Sequence, residues 1–429
     1  MINVLKIIFC LVLTDFYIFP FEPVALPGIN VKMILAGLSL LYICFLLATR
    51  RTASIGTDLL KIFFLTVPIS LFSLLSNVIN DTSDYSFNFY FVSVFVWMAA
   101  GFFVVSMIKE CHHKLCVELV ANYLIGVCCL QCVLAMCMEY NPTFKMFVDG
   151  LMGGSEAFMG DAGDRVHGLG CALDVAGGRF AAVLIFVSYF ITNVVDKLKL
   201  FLYISAFVLI AVVGNMIART TTVGVVLSLL YMLYDYYKGN PSGNRFGVYF
   251  TGILCIVLPV IVILYNISDM FYQQIRFGFE GFFSLVETGR WESNSNNILL
   301  KNMIVFPDNL KTWIIGDGYG ANPTDNDPYY IGENYHGFYK GTDIGYLRFI
   351  FFFGVLGMIS MIIFFVGMWR IYCARFVNLK LVLFFLLLLN LVIWFKATTD
   401  LLPIFVLLFG ITQIDQESFE KNKLADISY

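Results

Sequence analysis

Asp343 and Arg348 stand five positions apart at the head of the run Gly341–Gly357, "GTDIGYLRFIFFFGVLG", which is polar for a few residues and then almost wholly apolar. An acid and a base at the mouth of an apolar helix can divide a transfer reaction between them. The carboxylate takes or orients the proton of an attacking hydroxyl, and the guanidinium neutralises a departing phosphate. On a helix starting near Asp343, which would cap its N-terminus, Arg348 lies about 7.5 Å further along the axis. The same two residues also read as a plain N-cap and a snorkelling arginine. Gly354 and Gly357 offer a small face for close helix packing.

Three further arginines share this character: Arg179 in "GGRFAAV", Arg219 in "IARTTTVG" and Arg290 in "ETGRWES". Three of the four lie in or beside apolar runs, where an isolated charge costs about 2.5–3.5 kcal/mol. Each can snorkel to headgroups or pair with a neighbouring acid. Converging from separate segments, they would instead build a polyanion site, because guanidinium presents a planar, bidentate fork to phosphate and keeps its charge. A pyrophosphate at a membrane surface fits such a site.

The elements that must position these residues follow from composition. Of 429 residues, 59% are hydrophobic and 13% charged, against about 25% charged in soluble domains. Apolar runs long enough to cross a hydrocarbon core recur from end to end, near 3–20, 31–48, 59–79, 87–108, 116–138, 175–193, 198–217, 220–234, 246–266, 344–368, 377–395 and 399–414. The fold class is therefore all-α, a polytopic membrane protein of about twelve spans. The first run carries Asp15, lacks a small-residue cleavage site, and reads as a retained helix. An even span count puts both termini and alternate connectors on one side. That side carries Arg50, Arg51, Lys109, Lys114, Lys197, Lys199, Lys238, Arg245, Arg370, Arg375, Lys380, Lys421 and Lys423, which marks it as cytoplasmic.

The chain thus divides into residues 1–266 with nine spans and a smaller outer loop near 139–174, a large outer loop at 267–343, and three spans with a cytoplasmic tail at 344–429. A loop that long is more than a connector, and function is expected there. Within it, "DMFYQQIRFGFEGFFSLVE" suits a helix lying in the interface, "SNSNNILLKNMIVF" a polar cap followed by an apolar helix, and "GDGYGANPTDNDPYY" turn chemistry.

Other signals exclude more than they propose. The cysteines lie mostly inside apolar runs, so no disulfide framework is implied. "CHHKLC" at Cys111–Cys116 does not have the spacing of a zinc module, and no metal site is expected. A net charge of -3 indicates neither a nucleic-acid partner nor a polybasic anchor. "DND" at Asp325–Asp327 sits in a Pro-flanked turn, and "GDGYG" lacks the spacing of a dinucleotide fingerprint.

In order along the chain, "RTTTVG" from Arg219, "GRW" from Gly289, "IIGDGYG" from Ile314 and "TDIGYLRFIFFFGVLG" from Thr342 resemble the O-antigen polymerases of bacterial surface-polysaccharide assembly, and more distantly the O-antigen ligases. The resemblance covers about the last 250 residues; the first half matches only in hydropathy. Where the ligases have a His-Asn pair ahead of the helix glycines, this chain has Asp343 and Ile344, which favours a polymerase. The resemblance implies a GT-C-like, metal-independent and cofactor-free glycosyltransferase of the bacterial inner membrane. Its substrates would be undecaprenyl-diphosphate-linked glycans, its surroundings membrane lipid, and a chain-length regulator a possible partner. It implies catalytic roles for Asp343, Arg290 and Arg348, with His336 as an alternative base, and diphosphate binding by Arg179, Arg219, Arg290 and Arg348. Trp291, Tyr319, Tyr335 and Tyr346 are candidate sugar-binding residues, and the loop's aromatics equally suit an interfacial belt. The alternatives are a ligase and a flippase or secondary transporter of similar span count.

Overall fold

The computed structural model of the chain describes residues 2–49, 57–153, 165–238, 251, 258–327, 330–333, 335 and 337–416. Its helices are α1 (Ile2–Ile18), α2 (Val31–Ala48), α3 (Thr57–Asn80), α4 (Tyr90–His112), α5 (Val117–Tyr140), α6 (Pro142–Asp149), α7 (Leu173–Asn193), α8 (Lys197–Ile217), α9 (Thr221–Tyr237), α10 (Leu258–Ile267), α11 (Asp269–Gly278), α12 (Glu280–Thr288), α13 (Asn294–Ile298), α14 (Leu310–Ile314), α15 (Pro323–Asn326), α16 (Gly345–Arg375), α17 (Lys380–Ile393) and α18 (Leu402–Phe409). Strand pairing among the described residues is confined to isolated bridges such as Pro23 with Met152. The chain is an all-α, multi-pass membrane protein.

Among the described residues seven helices, α2, α3, α4, α5, α7, α8 and α16, are long and apolar enough to cross a membrane. The other five expected spans come out differently. Helices α1 and α9 have 17 residues each, and α10 adjoins residues outside the description. With 14 and 8 residues, α17 and α18 reach only about 21 and 12 Å, short of a hydrocarbon core of about 30 Å.

Helix α7 runs through the middle of the bundle, buried almost continuously from Ala176 to Thr192. Its hairpin with α8 is fixed by Phe190 stacked on Tyr203, ring centroids 4.9 Å apart. On one face of the molecule Arg375, at the end of α16, donates to the carbonyls of Phe409 and Ile411 and pairs with Asp58 at 2.7 Å. Lys109 pairs with Asp415 at 2.8 Å on the same face. The opposite face carries residues 267–343, and the ends of α3, α7, α8, α9 and α16 that meet them.

Two backbone breaks shape that loop face. Between α17 and α18 the chain turns through Trp394–Leu401, a stretch containing Lys396, Thr398, Thr399 and Asp400. Irregular backbone at this depth survives only if its polar groups find partners inside the protein. They do: Leu401 N–H donates to Asn390 Oδ1 (2.8 Å), Leu402 N–H to Asp400 Oδ1 (3.0 Å), and Trp394 O accepts from Tyr346 N–H (3.1 Å).

The second break lies inside α16, where Phe353 leaves helical geometry and Gly354 adopts φ +70°. The freed carbonyls of Phe351 and Phe352 accept the N–H groups of Asp317 (2.6 Å) and Gly318 (3.1 Å), and Ser76 Oγ–H also donates to Phe352 O at 2.7 Å. A Cβ on Gly354 would lie 2.1 Å from Ile314 O. Gly354 therefore serves a kink onto which the "IIGDGYG" segment docks, rather than the helix-packing face expected from sequence. A second correction concerns the start of α16. Its N-cap is Ile344, with no side-chain cap, so Asp343 lies just outside the helix and is free to pair elsewhere.

In the long loop, the interfacial segment is two short helices, α11 and α12, broken at Phe279. Ser293 Oγ caps α13 by accepting from Asn296 N–H, as its sequence suggests, but five residues later the chain passes into a π turn, Leu299–Met303.

Candidate functional site

Arg348 projects from the first turn of α16 into a ring of partners drawn from four segments. Its Nη1 donates to Thr398 Oγ1 at 3.0 Å and lies 3.7 Å from Asp343 Oδ1, and its Nη2 donates to Gly320 O at 3.3 Å. The guanidinium also covers the Phe338 ring at 3.6 Å from its centroid. Gly320 is held in turn through its N–H, which donates to Asp84 Oδ2 at 2.9 Å. The docked glycine segment and the turn between α17 and α18 thus meet at one arginine. Half burial pushes the Asp343 carboxyl up to about 6; Arg348 opposes the rise and Asp174 adds to it.

Beside this pair lies a second one that sequence reasoning did not identify. Lys396 Nζ binds Asp174 Oδ1 at 2.8 Å and Thr220 Oγ1 at 3.1 Å, and Thr220 Oγ1–H donates to the same carboxylate. Asp174 comes from the first turn of α7, Thr220 from the bend before α9, and Lys396 from the turn after α17. The charges of Asp174 and Lys396 both act on Asp343.

A third pair continues the line. Arg219 Nη1 lies 2.6 Å from Glu280 Oε2 and donates to Ser295 Oγ (3.0 Å) and Ser293 Oγ (3.4 Å), while the guanidinium covers Phe277 at 4.1 Å. Arg165, from the smaller loop, approaches the same ring at 5.2 Å. A cavity of about 210 Å³ opens here, lined by Arg219, Lys396, Glu280, Trp291, Ser293 and Asn296 among others. Three cation–carboxylate pairs, Arg348–Asp343, Lys396–Asp174 and Arg219–Glu280, therefore follow one another along this part of the loop face.

The other candidates fall as follows. Arg179 is buried within α7 over the Phe19 ring (5.5 Å), where its charge is felt by Lys32 and Asp400. Arg290 is exposed in the turn after α12, where its carbonyl accepts from Ser284 Oγ–H; its neighbour Trp291 lines the cavity. His336 lies outside the described residues. Tyr319 is buried, with its hydroxyl on Asp327 Oδ2 (3.0 Å), and Tyr335 packs edge-on against Tyr339. Tyr346 donates its hydroxyl to Leu391 O at 2.8 Å and packs on Trp394 and Phe395, which ties α16 to α17.

Two signals could have exposed Lys396 and Asp174, and Glu280 carries none of its own. "FKATTD" is a polar patch between two apolar runs, and Asp174 opens a span as an unexplained acid. Their pairing spans up to 222 positions of sequence and has no local signature.

Chemically, the arrangement offers a carboxyl able to accept a proton near neutral pH beside fixed cations, at the ends of membrane-spanning helices. Among the described residues no three His, Cys, Asp or Glu side chains converge as metal ligands would. Comparison with family models, curated proteins and solved structures finds no match to this chain.

Proposed function

We propose that the chain polymerises diphosphate-lipid-linked oligosaccharide repeat units on the outer face of a bacterial inner membrane. The observation that carries this reading is the contact of Asp343 with Arg348, beside Lys396, where helices α7 and α16, the turn after α17 and the long loop meet. A non-reducing-end hydroxyl of the acceptor attacks the anomeric carbon of the donor glycan. Its proton passes to the Asp343 carboxylate as the new C–O bond forms. The bond from the anomeric carbon to the diphosphate oxygen breaks, and undecaprenyl diphosphate leaves with the electron pair. Arg348 and Lys396 offset the charge on that leaving group. Both sit at helix ends, where on this reading the headgroup of a lipid carrier is met.

One observation favours a second reading. A polar turn between two short helices, as at Trp394–Leu401, is also how secondary transporters build substrate sites.

Surface glycolipids of a deletion strain, resolved on a gel, separate the classes. Loss of a polymerase leaves lipid A-core capped with a single repeat unit, since the ligase still accepts one. Loss of a ligase leaves bare core while long chains accumulate on undecaprenyl diphosphate. Loss of a flippase strands repeat units in the cytoplasmic leaflet and also leaves bare core. A collapsed ladder with one band above core is expected; bare core overturns the assignment.

A further inference from the structure

The cavity beside Arg219 matches its arginine with a carboxylate and has the wall chemistry of a sugar site. Resting on the reading above, we propose that it holds a single uncharged pyranose ring of the glycan, and that Arg219 recognises this ring rather than the diphosphate. Charge balance is the first ground. Glu280 Oε2 sits 2.6 Å from Arg219 Nη1 and already offsets its charge. A multiply charged phosphate seated on Arg219 would meet the Glu280 carboxylate, which lines the same cavity. A neutral diol meets no such repulsion, because one hydroxyl donates to Glu280 while its neighbour accepts from Arg219.

The wall chemistry is the second ground. Trp291 lies against Gly281, where an added Cβ would be 2.6 Å from the indole, and it meets the edge of Phe282 at a centroid distance of 4.7 Å. The indole is thereby held in place while staying half exposed at 49%, which presents an apolar surface to one side of a ring. Ser293, Ser295 and Asn296 supply neutral donors and acceptors at the rim. Size is the third. About 210 Å³ is below the roughly 300–1,000 Å³ of sites for drug-sized ligands, which limits the occupant to one ring.

The test uses the purified full-length protein in detergent and a panel of methyl glycosides of neutral hexoses and N-acetylhexosamines, observed by saturation-transfer NMR, with inorganic pyrophosphate as competitor. At least one glycoside should bind in the millimolar range without displacement by pyrophosphate. Trp291→Ala and Glu280→Gln should each weaken it about tenfold or more, with thermal melting of each variant confirming the fold. Glu280→Gln is the discriminating change, since removing a negative charge strengthens an anion's binding but takes a hydroxyl's best acceptor away from a sugar. Undiminished glycoside binding in that variant, displacement of the glycoside from the parent protein by pyrophosphate, or no glycoside bound at tens of millimolar each overturns the proposal. The gel ladder is independent of this measurement. A ladder lost as expected with no glycoside bound rejects the sugar pocket alone, and a glycoside bound with bare core rejects the polymerase alone.

Discussion

At the scale of single residues, the geometry of Arg348 sets what its neighbour can do. A carboxyl with a pKa of about 6 is mostly ionised at pH 7 and protonated below pH 6, because burial favours the neutral acid. Catalysis that needs the Asp343 carboxylate should therefore fall about tenfold per pH unit below 6 and level off above it, measured as polymer formed from lipid-linked repeat units by purified protein. Asp343→Asn should lose about 10²–10⁴-fold and show no such limb; an unchanged profile would return Asp343 to a structural role. Arg348→Lys keeps the charge but cannot reach Thr398, Gly320 and Asp343 together, so a loss of about two orders of magnitude is expected, and full activity would refute the bidentate geometry. The Asp343–Arg348 pair was legible in sequence because both partners sit within one short segment. Lys396 and Glu280 were not, because their partners Asp174 and Arg219 are brought to them only by the packing of distant elements.

At the scale of elements, the motifs "IIGDGYG" and "FFFGVLG" turn out to be two halves of one contact. The kink at Gly354 exposes carbonyls, and the loop's N–H groups fill them. Gly354→Ala forces a side chain into a left-handed backbone conformation and against Ile314 O. It should cost about 1–3 kcal/mol and lower the melting temperature in detergent, whereas Leu356→Ala, on the exposed side of the same helix, should change it little. Equal melting of both variants would mean that the docked loop does not support the helix. Asn390→Leu strips the acceptor from Leu401 N–H in the turn between α17 and α18, and should destabilise by about 1–3 kcal/mol. Hydropathy found the seven long apolar helices among the described residues because burial in lipid demands apolar runs. It misjudged α17 and α18, since two apolar runs around "FKATTD" look the same whether each spans or both stop short.

At the scale of the whole molecule, the two faces differ in how their cations are used. On the loop face Arg219, Arg348 and Lys396 each face a carboxylate and are gathered at the candidate site. The opposite face carries Lys197, Lys199, Arg370 and Lys380 at or near helix ends, and such clusters support the proposed orientation, with this face cytoplasmic. The polymerase reading requires this orientation, because finished repeat units meet the enzyme on the outer side. Thr288→Cys lies in the exposed part of the long loop, and Asn378→Cys in the exposed connector between α16 and α17. In spheroplasts, an impermeant maleimide should label the first directly and the second only after permeabilisation, each judged against the parent chain's own background from its cysteines. The reverse pattern would place Asp343 and Arg348 in the cytoplasm. The chemistry of the pair could then still transfer a sugar, but its donor would have to be an activated sugar made inside the cell, and polymerisation of exported units would be ruled out.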